Sequence, residues 1–298
     1  MPALTSIIIV AADSGASLRE CVVRALASER PIEVILVDNG SRDGVPQALA
    51  RAYERDERVR VVYNHANLGF GPAMNVGARQ ARGDALLVLN PDCMLEPDTL
   101  SRMLDVRREH PDAGVIGAVV CDADGTPDPA SRRRDPLLER SLNEMTGRTK
   151  RDASRYEGVD VPGPIPDAVI ETENVSGALM LLSRAAFDRL GGFDEGYFLH
   201  CEDLDLCRRA RDAGYAVLLA GDVRVRHAKG GSSAHRPVFV SYHKHRGMWR
   251  WFRKFDPAAR KPLTRVLVAC GIAAHFLATA PLLALRRVAP MTLHRKQA

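Results

Sequence analysis

Several features that mark large protein classes are missing from this sequence. The six cysteines include no CxxC pair, so neither a zinc site nor a disulfide framework is indicated, and unpaired thiols favour a reducing compartment. No basic segment or cleavage motif precedes the first apolar run at Thr5, so we expect no signal peptide. Neither a GxGxxG motif nor a Walker loop occurs, and there is no internal repeat.

The composition is that of a mildly basic globular protein. Of the 298 residues, 46% are hydrophobic and 27% are charged, with a formal net charge of +5 and a pI of about 9.0. These values exclude a disordered or fibrous chain. At this length the chain can bury the core of one large α/β domain or of two modest ones.

The first half of the chain alternates short apolar runs with helical patterns. The runs are rich in Ile, Val and Leu, as in strands buried on both faces of a sheet. They cover 5–11, 32–37, 59–63, 86–89 and 115–120. Helices are predicted at 18–27, 45–55 and 97–109. The alternation predicts an α/β protein with a mostly parallel central sheet flanked by helices.

Polar residues follow two of these strands where they end. Asp38 follows the second strand, and Asn90 and Asp92 follow the fourth, which Pro91 should terminate because it cannot donate to a sheet. Ligands bind at this edge of open α/β sheets. Asn and Asp oxygens suit a hard cation such as Mg²⁺ or Mn²⁺. The alternative is an ordinary Asn-Pro-Asp turn.

Two further stretches have both a functional and a plain interpretation. The glycine-rich segment 67–77 suits a loop whose backbone approaches a ligand before entering a helix, or a simple connection. The segment 122–166 is rich in Asp, Arg, Pro and Gly and carries the run Arg132-Arg133-Arg134. This run is either a contact for an anionic acceptor or a solvated basic loop.

The second half of the chain contains an acidic cluster at the start of a predicted helix that runs through Asp212. The cluster consists of Glu202, Asp203 and Asp205. Acids are favoured in a first helical turn by the helix dipole, but one of them could also serve as a general base. Packing three acids together should raise at least one pKa.

Strands are predicted before and after the acidic cluster. One lies at 179–182, and two more follow at 215–219 and 223–227. The last ends in His227, and a lone histidine in that position is usually not a ligand.

The C-terminal stretch is basic and aromatic at 236–265 and then free of charge at 266–285. Such a pattern is typical of a membrane-surface segment, and twenty residues just span a bilayer. Because Gly271 and Pro281 interrupt the apolar stretch, we expect an interfacial or hairpin-like insertion rather than a clean span. The alternative is a helical subdomain that packs on the enzyme or on a second subunit.

Six motifs occur in an order that resembles the family 2 glycosyltransferases of the GT-A fold. They are SIIIV, VDNGSRDG, NLGFGPAMNVG, LNPDC, the run from SGALMLL to RDAGY, and VRHAKGGSS. The resemblance covers roughly residues 5–235 and is greatest to bacterial rhamnosyltransferases that build cell-surface polysaccharides. The C-terminal tail of this chain is similar to the family only in being basic and apolar.

The resemblance implies roles for individual residues. Asp203 matches the catalytic base of the family's ED motif, with Glu202 beside it. Asn90 and Asp92 match the metal-binding DxD position, although Asn90 replaces its first acid, and His227 matches a metal ligand of some relatives. The implied cofactor is Mg²⁺ or Mn²⁺. The implied nucleotide-sugar-binding residues are Ala11, Asp13, Asp38, Asn39, Asn67, Gly69, Asn75, Asn90, Ser176 and Gly177.

The implied reaction is an inverting, metal-assisted sugar transfer with Asp203 as the general base. By analogy the donor is dTDP-L-rhamnose, and the acceptor is a hydroxyl of a lipid-linked or polysaccharide molecule. One alternative is an inactive GT-A scaffold at the membrane. Another is a nucleotidyltransferase, which is disfavoured because residues 12–17 contain no Lys or Arg to bind phosphate.

We predict a GT-A domain at 1–235 and a basic, apolar, helical tail at 236–298. The domain divides into a nucleotide-sugar-binding half (1–120), a variable excursion (122–166) and an acceptor and catalytic-base half (167–235). The tail would associate with an anionic membrane surface, at the cytoplasmic face of the inner membrane. Homodimerisation stays open, and no nucleic acid partner is expected because no recognition fold is evident.

Overall fold

The computed structural model describes residues 4–227 and 236–286. The strands are β1 (Thr5–Ala11), β2 (Ile32–Asp38), β3 (Val59–Tyr63), β4 (Ala85–Leu89), β5 (Cys93–Met94), β6 (Ala113–Cys121), β7 (Val169–Glu171), β8 (Leu179–Ser183) and β9 (Ala216–His227). The helices are α1 (Gly15–Leu26), α2 (Val45–Ala52), α3 (Phe70–Gln80), α4 (Thr99–Glu109), α5 (Leu138–Met145), α6 (Arg148–Arg151), α7 (Arg184–Arg189), α8 (Glu202–Asp212), α9 (Pro237–Phe255) and α10 (Pro262–Arg286). Short 3₁₀ helices lie at Pro129–Ser131 and Pro257–Arg260.

One mixed sheet organises the described residues. Its strand order is β3-β2-β1-β4-β8-β6-β9-β5, and β7 pairs with β9. The block from β3 to β4 is parallel, whereas β8 runs antiparallel to both of its neighbours, β4 and β6. The predicted α/β architecture is therefore confirmed. The sheet is less uniformly parallel than expected, because β8 enters it from the opposite direction.

Helices cover both faces of the sheet because each central strand is apolar on both sides. Ile7 and Ile9 of β1 join a core beneath α1, α2 and α4. Ile8 and Val10 join a second core beneath α3, α7 and α8. The alternation of successive side chains between the two faces of a strand thus builds both cores.

Two predicted boundaries differ from the structure. The residues at 215–219 and 223–227 form one strand, β9, because a bulge absorbs the intervening residues. Its pairing with β6 shifts from Ala118–Ala220 to Val119–Arg224. Helix α3 begins at Phe70, inside the predicted loop. Gly69 precedes it with a φ of +94°, a conformation that favours glycine.

The excursion at 122–166 contains local structure and is attached to the rest of the fold. Besides the first 3₁₀ helix it contains α5 and α6. Arg133 pairs in antiparallel fashion with Asn174 and with Asp160. The excursion therefore lies along the loop that leads into β8, close to the start of α8.

The C-terminal helices differ from each other in their packing. Trp251 of α9 is fully buried, in a small core with Tyr197, Cys201 and Leu204. The predicted domain boundary at 235/236 thus divides two stretches that share a core. Residues 1–3, 228–235 and 287–298, which include the last part of the VRHAKGGSS motif, lie outside the described residues.

Helix α10 is continuous through Gly271 and Pro281. Its apolar stretch Pro262–Leu285 is 24 residues long with a mean hydropathy of 2.0, and none of it is buried within the described chain. The expectation of a hairpin is therefore wrong. The alternative of a helical subdomain that packs on the enzyme or on a second subunit stays a prediction, and within the described chain α10 contacts α9 where His275 bonds to His245.

Candidate active site

The carboxyl ends of β1, β2 and β4 form one edge of the sheet, and the predicted residues of the first half lie there. Asp38 ends β2 and is buried. Its Oδ1 accepts a hydrogen bond from the Ser41 backbone at 2.8 Å, and its Oδ2 accepts one from the Gln47 amide at 3.1 Å. These bonds fix the carboxylate at the mouth of the loop after β2, with acceptor capacity remaining on each oxygen.

The structure brings Asn90, Asp92 and His227 together. The His227 Nε2 atom lies 2.9 Å from the Asp92 carboxylate and 3.5 Å from the Asn90 amide nitrogen. Strand pairing causes this approach, because β5 sets Cys93 opposite His227 at the end of β9. The Nδ1 atom of His227 is buried and has no hydrogen-bond partner among the residues that the structure describes. The three side chains predicted as metal ligands are therefore neighbours.

Asp203 lies close to the same edge, in the first turn of α8. Its Oδ2 accepts a hydrogen bond from the Gly177 backbone at 3.2 Å and lies 3.5 Å from the Arg133 guanidinium. The next residue, Ala178, accepts a bond from the backbone N–H of Asn90 at 2.9 Å. The loop before β8 thus connects the Asn90 end of β4 directly to Asp203.

Glu202 is buried beside Asp203. Burial, reinforced by the negative charge of Asp203, raises the pKa of the Glu202 carboxyl to about 8. Its Oε2 atom has no hydrogen-bond partner. The expectation that one acid of the cluster has a raised pKa is therefore met by Glu202.

The third acid of the cluster forms ion pairs that hold the structure together. Asp205 is fully buried and pairs with Arg209 and with Lys254 of α9. Lys254 also pairs with Asp194. Although burial of Asp194 opposes the shift, bonds from Lys254 and Arg250 lower its pKa to about 2. These charges tie α9 to the segment that precedes α8.

Two residues with positive φ lead into the acidic cluster. His200 has a φ of 69° and Cys201 a φ of 72°. This region is costly for residues with a side chain, and such residues concentrate at functional sites. These two residues turn the backbone directly before α8, so Glu202 and Asp203 lie in its first turn.

The loop after β3 is held by side-chain amides. Asn39 is buried, and its amide donates to the Asn67 side chain at 2.9 Å and to the Gly69 carbonyl at 3.1 Å. A Cβ atom at Gly69 would lie 2.5 Å from the Phe198 carbonyl oxygen. Gly69 therefore lets this loop approach the segment that leads to the acidic cluster.

The other predicted nucleotide-sugar-binding residues lie in varied settings. Asn75 is inside α3, where its amide bonds to both backbone groups of Phe193 and to Glu195. Ala11 is buried at the end of β1. Asp13 is exposed, and its carboxylate accepts a bond from the Arg42 backbone at 2.6 Å. The Ser176 hydroxyl accepts a bond from the Ala178 backbone, adjacent to Gly177.

The sequence model of the family described as Glycosyl transferase family 2 matches residues 6–165. An N-acetylglucosaminyl-diphospho-decaprenol L-rhamnosyltransferase of Mycobacterium tuberculosis is 34% identical over 253 residues, which cover 76% of this chain and 80% of that relative. The chain belongs to glycosyl transferase family 2. A second similar protein is the rhamnosyltransferase WbbL of Escherichia coli (strain K12), which is 25% identical over 61% of this chain and 78% of its own length.

A solved structure supports the architecture. The mannosyltransferase PcManGT from Pyrobaculum calidifontis, in complex with GDP-Man and Mn²⁺, matches with a TM-score of 0.60 at 20% identity. The match covers 98% of this chain and 76% of that one. At this level of identity the likeness concerns the fold, and it confirms the predicted GT-A architecture.

Sequence reasoning did not assign some residues that the family 2 fold brings to the site. Arg133 reaches Asp203 from the excursion, and α9 contributes Gly247, which lies against His200. The arginine run was a visible signal for Arg133, but the sequence did not say which of the three arginines faces the site. No local pattern pointed to Gly247.

Proposed function

We propose that this family 2 glycosyltransferase transfers L-rhamnose from dTDP-L-rhamnose to a sugar hydroxyl of a lipid-diphosphate-linked acceptor, with inversion at the anomeric carbon. The observation that carries the proposal is the continuous connection from Asn90 through Ala178 and Gly177 to Asp203. This connection joins the candidate site for a donor diphosphate to a carboxylate that can act as a base. The mycobacterial relative is named for an N-acetylglucosaminyl-diphospho-decaprenol acceptor, which supports this acceptor class.

The side chains around His227 fit a divalent cation, Mg²⁺ or Mn²⁺. Asp92 offers a carboxylate, Asn90 an amide oxygen and His227 an imidazole whose Nε2 atom faces both of them. No group of three or more His, Cys, Asp or Glu side chains suited to a metal occurs in the described part of the chain. The donor diphosphate would therefore have to supply further oxygens. When bound, the cation neutralises charge on the departing diphosphate.

Asp203 is the residue that we assign as general base. Its two oxygens are held separately, since Oδ1 accepts from the Leu204 backbone at 2.9 Å and Oδ2 accepts from Gly177. A fixed carboxylate can remove the proton of the acceptor hydroxyl as that oxygen attacks the anomeric carbon. One displacement inverts the configuration and needs no nucleophile from the protein.

Glu202 supports this assignment through its protonation state. Its pKa of about 8 keeps it mostly neutral at pH 7. Two adjacent carboxyl groups resist double ionisation, and Glu202 is the one of the two that is buried. Because the buried Glu202 is mostly protonated, it does not act as a second base toward the acceptor hydroxyl.

The acceptor class and α10 together favour action at a membrane. Helix α10 is long and apolar enough to cross a bilayer, and the lipid-linked acceptor would be found there. We propose that α10 anchors the enzyme at the cytoplasmic face of the inner membrane, where nucleotide sugars are available.

Asp203→Asn tests the assignment of the base. We expect transfer to fall by about 10²- to 10⁴-fold, while calorimetry shows donor affinity nearly unchanged. Asp212→Asn is the matched control, because Asp212 ends the same helix and makes an exposed pair with Arg208. Loss of donor binding in Asp203→Asn, or full transfer activity, would contradict the role.

The products separate the alternatives. A glycosyltransferase releases a nucleoside diphosphate, whereas a nucleotidyltransferase releases inorganic pyrophosphate. An inactive scaffold releases neither from any of the dTDP-, UDP- or GDP-sugars. Detection of dTDP and a rhamnosylated lipid with the wild-type protein would support the proposal.

A further inference from the structure

The three consecutive arginines of the excursion point in different directions. The Arg132 guanidinium lies 3.4 Å from the carbonyls of 162, 163 and 164. That of Arg134 donates to the carbonyls of 158 and 160. The guanidinium of Arg133 instead approaches the Asp203 carboxylate. Within the described residues, the middle arginine of the run is thus the one that faces the candidate base.

The backbone holds Arg133 in place while its side chain is only loosely engaged. Its N–H and carbonyl pair with the backbone of Asn174 at 3.2 and 3.0 Å. The guanidinium reaches Asp203 at 3.5 Å, which is longer than the roughly 2.9 Å of a well-formed bond. Its Nε atom is buried and has no hydrogen-bond partner within 4–227 and 236–286. Arg133 therefore has unused donors on a side chain that is 27% exposed.

We propose that Arg133 binds the diphosphate of the acceptor and pairs with Asp203 when no acceptor is present. This inference rests on the proposed function, because it names a contact for the acceptor of that reaction. The planar fork of arginine matches phosphate oxygens and can bind them bidentately. An acceptor that occupies the site would draw the guanidinium to its phosphate and leave the Asp203 carboxylate free for the hydroxyl.

The position of Arg133 favours the acceptor over the donor. The base has to contact the attacking hydroxyl, so a guanidinium beside Asp203 lies near the sugar that carries this hydroxyl. In a sugar-diphosphate-lipid the diphosphate is attached to that same sugar. The donor diphosphate is expected instead at Asp92 and His227. The contact at Arg133 thus distinguishes a diphosphate-linked acceptor from a neutral glycoside.

The test compares two acceptors in three variants. The first acceptor is N-acetylglucosamine linked through a diphosphate to a short polyprenyl chain, and the second is the neutral alkyl glycoside of the same sugar. In Arg133→Gln we expect KM for the diphosphate acceptor to rise about tenfold or more, with KM for the neutral glycoside unchanged. Arg132→Gln and Arg134→Gln are matched controls that should change neither value.

A competition experiment gives an independent readout. Geranyl diphosphate has a diphosphate but no sugar, and it should inhibit the wild type competitively against the acceptor. Its inhibition constant should rise about tenfold or more in Arg133→Gln. Arg133→Lys keeps the charge but not the planar fork, so its inhibition constant should lie between those of the wild type and Arg133→Gln. It serves as the test variant if Arg133→Gln does not fold.

Several outcomes would overturn the inference. Equal losses on both acceptors would show that Arg133 only positions Asp203, and unchanged constants on both would show that it binds no phosphate. Either result, obtained while the wild type transfers normally, leaves the proposed function intact. A folded wild type that transfers to neither acceptor would instead refute the proposed function and this inference with it.

Discussion

Gly247 of α9 lies against the backbone carbonyl of His200, so close that a Cβ atom at position 247 would stand 2.7 Å from that oxygen. His200 has a positive φ, and Glu202 and Asp203 follow it two and three residues later. The same helix buries Trp251 against Tyr197 and Cys201. Helix α9 therefore supports the backbone that positions the candidate base.

Gly247→Ala should lower the rate of transfer without weakening donor binding. The added methyl group must displace the His200 carbonyl, which moves the start of α8 and with it Asp203. We expect kcat to fall about tenfold or more, since small displacements of a catalytic group are costly. Steady-state kinetics and calorimetry with the donor measure the two effects separately.

Gly271→Ala is the matched control for this substitution. Gly271 also lies inside a helix, and beyond that helix's own backbone no described residue lies within 4 Å of a Cβ atom there. Both substitutions gain the helix propensity of alanine, about 1 kcal/mol, so only the contact with His200 distinguishes them. Equal kinetics in the two variants would show that α9 does not position the base.

Asp92→Asn should weaken the dependence of donor binding on metal. The substitution keeps the size of the side chain but removes its charge, and with it the carboxylate beside His227. We expect the affinity for the donor in Mn²⁺ to fall at least about tenfold, with less change in EDTA. Thermal shifts with and without Mn²⁺ measure this effect by mass action.

Asp222→Asn provides the comparison, because Asp222 pairs with Arg102 and is exposed. It should retain the full response to the metal. If Asp92→Asn kept the same Mn²⁺-dependent shift as the wild type, the metal site would have to lie elsewhere.

Glu202→Gln should change how stability depends on pH. The native pKa of Glu202 is about 8, whereas an unfolded glutamate titrates near about 4.3. Between these values the folded state holds a proton that the unfolded state lacks, so the free energy of unfolding falls as pH rises. Glu202→Gln removes this contribution, and its stability relative to wild type should improve from pH 5.5 to pH 8.5.

Urea unfolding at the two pH values measures the effect, which is at most about 1.4 kcal/mol per pH unit. Glu109→Gln serves as the control, because Glu109 is exposed at the end of α4. Parallel pH profiles for the wild type and Glu202→Gln would mean that Glu202 ionises normally in the native protein.

Removal of α10 should release the protein from membranes and leave the site intact. A chain that ends at Lys261 keeps α9 and Asp256, which accepts a bond from the Leu138 backbone at 2.6 Å. We expect this chain to appear in the soluble fraction and to bind donor like the full chain. Continued pelleting with membranes would show that α10 is not the anchor.

A shorter chain that ends at Arg236 gives the contrasting result. It lacks Trp251 and therefore exposes the apolar surface of Tyr197 and Leu204. We expect it to aggregate or to lose donor binding. If it behaved like the chain that ends at Lys261, α9 would not be part of the catalytic unit.

Much of the fold follows from local patterns in the sequence. Short runs of Ile, Val and Leu predict the strands, since their apolar side chains suit both faces of a covered sheet. Asp38, the last residue of β2, and Asn90, which follows β4, necessarily lie at the carboxyl edge. The clustering of Glu202 with Asp203 in a first helical turn is also a local feature.

Other features depend on contacts between residues far apart in the chain. The sequence indicated neither that β8 runs antiparallel between β4 and β6 nor that its preceding loop meets Asp203. It also did not select Arg133 from its two neighbours, because the direction of each side chain depends on the packing of the excursion. The sequence also predicted two strands where the structure has β9 alone. A bulge in the pairing with β6 lets one strand continue through the intervening residues.

The sequence by itself determined the α/β pattern, the strand-end polar residues and the apolar tail, because periodicity, turn residues and hydropathy are properties of short segments. The tertiary structure decided which of these residues meet. Burial raises the pKa of Glu202, and strand pairing sets His227 beside Asp92. Packing joins α9 to the preceding residues, because Trp251 shares a core with Tyr197 and Cys201 and Gly247 lies against His200.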